Sequence, residues 1–259
     1  MFNSIRQLFG YAVLRDLQID DPETTKYRQK IIKNKRFLKK IYCEWYERIL
    51  SKLDAGDRVL ELGSGGGFMR DYLPTLITSE VFQVPGVALI ADACALPFSN
   101  DSLDAIVMTD VLHHIPDVQS FFDEATRCIR QEGKLIMVEP WRTTWSRWVY
   151  KNLHSEPFEE DAPWAFPSIG PLSSANGALP WIIFERDKEI FEAHNSSWEI
   201  TSIEPLMPFS YLLSGGVSMR GLMPAFFYDG VRFIEKSFFE KNFSMFAVIE
   251  LKKNGISIV

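Results

Sequence analysis

Val59-Leu60-Glu61-Leu62-Gly63-Ser64-Gly65-Gly66-Gly67 is the stretch that decides the fold. A β-branched residue and two leucines flank an acid, the composition of a buried strand, and glycines follow at 63, 65 and 67. Glycine lets the backbone approach a ligand closely, so a strand ending this way can lay bare main-chain N–H groups against it. The GxGxG spacing opens into a short helical pattern over 68–73. A dinucleotide fingerprint would place its third glycine at position 68, which holds Phe68. On its own the run fits equally a tight strand–helix turn or a nest for some other ligand.

The next segments narrow the choice. An apolar run over 87–91 reads as a buried strand and leads into Asp92-Ala93-Cys94-Ala95-Leu96-Pro97-Phe98. A further strand over 103–109 follows the turn-rich Ser99-Asn100-Asp101-Ser102 and ends in Asp110-Val111-Leu112-His113-His114-Ile115-Pro116-Asp117. The spacing predicts a helix over 118–130 that stops at Gly133, then a strand over 134–139 before Pro140. In this order, E-x-G-S-G-G-G, D-A-x-x-L-P-F, V-L-H-H-I-P-D and the glycine-led strand ending Val138-Glu139-Pro140 resemble the class I S-adenosylmethionine (SAM)-dependent methyltransferases. The resemblance spans residues 57–140. It is strongest to the branch with the ubiquinone and menaquinone methyltransferases and many small-molecule O-methyltransferases.

That resemblance implies an α/β fold: a Rossmann-like, seven-stranded, mostly parallel sheet with helices on both faces and the last strand antiparallel beside the fifth. It also implies SAM as cofactor and a role for each motif. Gly63, Ser64 and Gly65 would pass beneath the methionyl part. Glu61 would orient the loop and pair with the ligand's ammonium, or simply accept loop N–H groups at a strand end. Glu80, 17 residues beyond Gly63, falls where an acid for the ribose hydroxyls belongs. Asp92 would accept from the adenine amine while Ala93 keeps the site open, and Thr109 and Asp110 would close the floor. His113 and His114 are the candidate bases, since histidine titrates near neutrality. Adjacent residues on a helix diverge by about 100°, so at most one should face the cleft. Glu139 and His154 are weaker candidates.

Outside this core, three further regions are expected. Residues 1–54 read as a helical cap, with Ile31, Leu38 and Trp45 at sevens and eight Lys or Arg, without an acid, between Lys26 and Lys40. Such a run fits a solvated face, an anionic membrane surface or a phosphorylated acceptor. Residues 55–140 form the SAM-binding core. Strands over 76–81 and 87–91 leave only Phe82–Gly86 between them, too short for the usual crossover helix. Residues 141–184 hold five of the seven tryptophans among prolines, and are expected to form a helix over 145–154 and then an acceptor lid. Residues 185–259 complete the sheet with a helix over 185–194 and strands over 198–204 and 244–251. The stretch 205–228 carries a single charge, Arg220, and suits an apolar pocket or an interfacial surface.

Bulk properties exclude several classes. With 24% charged residues, 46% apolar residues and a net charge of −6, the chain is an ordinary globular protein rather than a general nucleic-acid binder. The three cysteines form no CxxC pair, so neither a disulfide framework nor a zinc site is expected, and no metal ligand is assigned. No signal-peptide pattern and no apolar run of spanning length is present, which points to a cytoplasmic enzyme with contact at most at the inner membrane face. The expected activity is methyl transfer, at oxygen, to a small-molecule or lipid- or glycan-linked acceptor. The alternatives are a SAM-binding regulatory protein without turnover and a nicotinamide-dependent oxidoreductase.

Overall fold

A computed structural model describes residues 20–168, 170 and 172–255; the first 19 positions of the predicted cap lie outside them. Seven strands form one sheet: β1 (Val59–Leu62), β2 (Ile77–Glu80), β3 (Leu89–Ile90), β4 (Leu103–Thr109), β5 (Ile129–Pro140), β6 (Trp198–Leu206) and β7 (Phe246–Lys253). Their order is β3-β2-β1-β4-β5-β7-β6. The pairs β1–β2, β1–β4, β2–β3 and β4–β5 are parallel, whereas β7 runs antiparallel between β5 and β6. The mostly parallel seven-stranded sheet and its inserted last strand match the expectation.

Both faces are covered, which is why the inner strands are almost continuously apolar. Along β4, Ala105 and Val107 face one side, against Leu38, Ile41 and Trp45 of the Arg36–Leu50 helix. Ile106 and Met108 face the other, against Phe121 and Phe122 of the Val118–Cys128 helix. Local chemistry sets the helix starts. Asp21 caps the Pro22–Asn34 helix, with proline in its first turn. Asp117 accepts from Ser120 N at 3.1 Å to start Val118–Cys128, and Thr143 with Ser146 forms a reciprocal cap for Thr144–Leu153.

Several boundaries differ from the sequence reading, four of them with a structural consequence. The helix expected over 68–73 shrinks to a 3-10 turn, Met69–Asp71. The helix after Asp117 stops at Cys128, because the buried, β-branched Ile129 already pairs with Leu103. Residues 130–133 then bulge out before Lys134 pairs with Ala105, and Glu132 turns through φ +64°. Gly133 is therefore a bulge residue and not a helix stop; a Cβ there would lie 2.6 Å from Asp104 O. The helix expected over 185–194 is a π turn, Ile182–Arg186, followed by Lys188–His194. Finally, β3 keeps only two residues, and residues 81–88 join it to β2 in parallel without a helix. The trimmed crossover works because β3 is the sheet edge, needing cover for almost no buried surface.

The chain order reverses between β1 and β4, the switch point outside whose carboxyl ends open α/β sheets bind ligands.

Candidate active site

A cavity of about 710 Å³ opens at that switch point. Glu61, Gly63, Ser64 and Gly65 line it from the end of β1, Glu80 from β2, Asp92 and Ala93 from beyond β3, and Thr109 and Asp110 from β4. All nine residues expected to contact the cofactor thus line this one cavity. Of the two candidate bases His114 lines the cavity and His113 does not.

Gly65 shows how closely the wall is fitted. A Cβ on it would stand 2.6 Å from Glu80 Oε1. Glu80 is itself held by Val81 N at 3.0 Å, and burial raises its pKa against the pull of the Val81 and Gly65 N–H groups. Burial pushes the Glu61 carboxyl up to about 7, with Ser64 opposing and Glu80 adding to the rise. Asp110 is likewise pushed up to about 7, first by burial and against the attraction of His113. Its backbone is left-handed, φ +64°, a conformation rare outside glycine and held here by the Asp110 N–H bond to Val138 O at 2.8 Å. Asp92 is the exposed member, its carboxylate accepting from Cys94 N at 2.8 Å. Thr109 Oγ1 is buried and has no hydrogen-bond partner among the described residues, leaving a polar atom for a ligand to satisfy.

Glu139 organises the next corner. Its Oε1 accepts from Val111 N at 2.8 Å and Leu112 N at 2.7 Å, and its Oε2 accepts from His113 Nδ1 at 2.8 Å. His113 Nε2 lies 3.5 Å from Glu156 Oε2. Burial disfavours the His113 cation, but Glu139 and Glu156 outweigh it and hold the ring protonated well above the usual histidine range. Glu156 is held well below the usual carboxylate range by His113 despite its burial. His114 behaves oppositely: burial and the neighbouring cation push it down to about 4, so it is neutral at pH 7. Its Nδ1–H donates to Ser174 O at 3.0 Å, which leaves Nε2 as the ring nitrogen that carries the lone pair. The sequence reading placed the two rings on diverging faces of a helix. They sit instead on a 3-10 turn, Leu112–His114, with centroids 4.2 Å apart and planes at 40°. His113, His114 and Glu156 each offer one ligand atom within 4.8 Å of the others, so this trio could hold a metal ion.

Several lining residues were not legible in the sequence. Thr25 and Arg28 come from the Pro22–Asn34 helix, Tyr42 and Tyr46 from Arg36–Leu50, Glu156 from the aromatic insertion and Tyr211 from the apolar stretch. Arg28 lay inside the basic run, where charge alone could not separate it from its neighbours. Glu156 carried no motif. Of the five tryptophans read as an acceptor roof, none lines the cavity; Trp145 bonds Pro208 O at 2.8 Å and Trp164 bonds Asp187 at 2.9 Å. These two indoles tie the insertion to the C-terminal part, and the two regions reach the cavity instead through residues such as Glu156, Leu172, Tyr211 and Val217.

Residues 60–137 match the family model described as a methyltransferase domain. Over this segment the chain is similar to SAM-dependent methyltransferases. It is 28% identical over 104 residues to an uncharacterized methyltransferase of Bacillus subtilis, covering 33% of this chain and 41% of that one. It is 30% identical over 115 residues to a "probable S-adenosylmethionine-dependent methyltransferase" of Mycobacterium tuberculosis, covering 39% and 42%. A third relative, the 27-O-demethylrifamycin SV methyltransferase of Amycolatopsis mediterranei, is 27% identical over 109 residues, covering 33% and 39%. The matches span about two fifths of these relatives' lengths. The fold is also that of a SAM-dependent methyltransferase from Thermotoga maritima, with TM-score 0.53 and 18% identity over 87% of this chain and 99% of that one.

The cavity fits SAM, the cofactor of the matched family, on its own chemistry. It has the volume for a nucleoside joined to an amino acid, an orphaned hydroxyl at Thr109, a side-chain-free floor at Gly65 and acids suited to a cationic ligand. No helix among the described residues is long and apolar enough to cross a membrane.

Proposed function

We propose that the chain binds SAM through Glu61, Gly63, Ser64, Gly65, Glu80, Asp92, Ala93, Thr109 and Asp110 and transfers its methyl group to a hydroxyl of an amphiphilic, lipid- or glycan-linked acceptor. The observation carrying this is the single cavity that joins those residues to the His114–Glu156 corner. The bound cofactor supplies an electrophilic methyl group; the protein aligns the acceptor and excludes water. Glu80 offers two oxygens to a diol, Asp92 an acceptor to an exocyclic amine, and Glu61 a carboxylate to an ammonium. His114 Nε2, on a neutral ring that lines the cavity, takes the acceptor's proton. His113, kept cationic between Glu139 and Glu156, positions His114 and holds down its proton affinity.

Two tests follow from that chemistry. His114→Gln is expected to lower kcat by about 10²- to 10³-fold while SAM affinity stays at the wild-type level. Unchanged kcat would remove His114 from the reaction, and a loss of activity in EDTA restored by a divalent cation would make the trio a metal site. SAM affinity is also expected to depend on pH. Glu61 and Asp110, each raised to about 7, are protonated below neutrality and lose their attraction for a cation there. Affinity should therefore rise between pH 6 and 8, by roughly tenfold for each group that ionises. The linkage runs the other way for the ligand-free chain, whose stability falls as pH climbs from the usual carboxylate range through 7, because the native state holds the extra protons. Calorimetric titration across that range, giving a flat profile, would contradict the assignment.

A further inference from the structure

Residues 225–243 form a helical segment turned inside out. It runs through a 3-10 turn (Ala225–Phe227), an α-helix (Tyr228–Ile234), a π turn (Glu235–Phe239) and a last α turn (Glu240–Phe243). Its inward side is ionic. Arg232 forks onto Glu44 at 2.8 and 2.9 Å, bonds Glu240 at 2.8 Å and pairs with Glu235. Glu235 in turn accepts from Phe209 N and Ser210 N, both at 2.6 Å. Its outward side is aromatic: Phe226, Phe233 and Phe238 are 75%, 71% and 74% exposed, and Phe227 and Ile234 about half. These positions, with the small Gly230 and Ser237 between them, follow helical spacing along one stripe. A surface helix in water has the opposite arrangement, and a contiguous exposed apolar stripe marks an interaction face.

Charge on the surrounding surface identifies the partner. The chain is acidic overall, yet the basic run 26–40 packs beside this segment. Phe37 meets Tyr228 edge-on with centroids 5.2 Å apart, Lys40 lies over the Tyr228 ring and Lys40 bonds Asp229 at 2.9 Å. Lys30, Lys33, Arg36 and Lys39 on the run, and Lys236 and Lys241 on the segment, are exposed. The stretch leading into the segment connects it to the cavity: Tyr211 and Val217 line the cavity, and Leu222, three residues before Ala225, is exposed.

We propose that this face docks the enzyme on an anionic lipid surface, with phenylalanines at the headgroup–acyl boundary and the lysines and arginines over lipid phosphates. Docking would set the cavity mouth at the layer where a lipid-linked acceptor lies. The inference deepens the amphiphilic-acceptor reading but does not stand on it, since the face binds lipid or fails to whether or not methyl transfer occurs.

Vesicle co-sedimentation of the full chain tests it, with phosphatidylcholine alone and with phosphatidylglycerol added. Binding to the mixed vesicles should exceed that to the neutral ones by at least about tenfold and fall at high salt. The triple variant Phe226→Ser, Phe233→Ser, Phe238→Ser should lose binding to both while its SAM affinity, measured in parallel, stays unchanged. A second variant, Lys30→Gln with Lys33→Gln and Lys39→Gln, should keep its fold and lose only the preference for phosphatidylglycerol. Absence of vesicle binding by the wild-type chain would overturn the proposal. So would a dimer in sedimentation analysis that the serine variant abolishes, which would assign the stripe to a second copy. Vesicle binding without SAM binding would leave the docking face standing and sink the methyltransferase reading alone.

Discussion

Gly65→Val is expected to weaken SAM binding by at least about 100-fold while leaving the fold intact. The mechanism is spatial. Gly65 is not among the residues with positive φ, so a β-branched residue meets no left-handed backbone there. Its Cβ would instead stand 2.6 Å from Glu80 Oε1 and 3.3 Å from Thr25 Cγ2, and the two methyl groups beyond would fill the cavity floor. Glu80 would have to turn away from the Val81 N–H that holds it, losing both its own hydrogen bond and its place on the wall. Calorimetric titration with SAM, beside a thermal melt of the same sample, separates loss of the site from loss of the fold. Wild-type affinity in the variant would show that the ligand does not pass over this turn.

Glu139→Ala carries the largest expected cost in stability, about 3–5 kcal/mol. Glu139 is fully buried at the end of β5 and receives three donors, Val111 N, Leu112 N and His113 Nδ1. Alanine would orphan two buried backbone N–H groups and strip one of two carboxylates from a buried imidazolium. Glu139→Gln divides the effect: its carbonyl oxygen still accepts the backbone donors, so most of the stability should return. Its amide cannot compensate the His113 charge, so His113 should lose its proton at lower pH. His114 should then bind a proton more readily, moving the acidic limb of the pH–rate profile upward. Denaturant unfolding of both variants checks this, and an alanine variant as stable as wild type would show that the corner is held by other means.

What the sequence disclosed follows the reach of local chemistry. The turn after Leu62, Asp92 behind its apolar run and the Thr109–Asp110 strand end converge on one cavity because each sits at the carboxyl end of a parallel strand. Strand-end position is written in a few consecutive residues. Register and topology then bring the ends together without further information from side chains. Glu156, Tyr211 and Arg28 reach the same cavity by long-range packing, and nothing in their neighbours' pattern predicts that. The tryptophans misled for a related reason: their abundance marks the insertion as ordered, but indole serves as readily to join two segments as to roof a ligand. Histidine orientation was misjudged because one 3-10 turn replaced a helix, which brought together rings that helical geometry would have separated. The inverted segment over 225–243 was hidden because its periodicity is that of any amphipathic helix. Only the observed burial of Arg232 and Glu235 shows which side faces in.

The fold rests on the sheet, but the functional account rests on Glu80 and Asp92 gripping one nucleoside from the ends of neighbouring strands. Equilibrium titration of SAM into the wild-type chain, Glu80→Gln and Asp92→Asn tests this most directly. The account predicts wild-type binding in the micromolar range, on the order of −8 kcal/mol, and a loss of about 1–3 kcal/mol in each variant. No binding by the wild-type chain, or equal binding by all three, would contradict it.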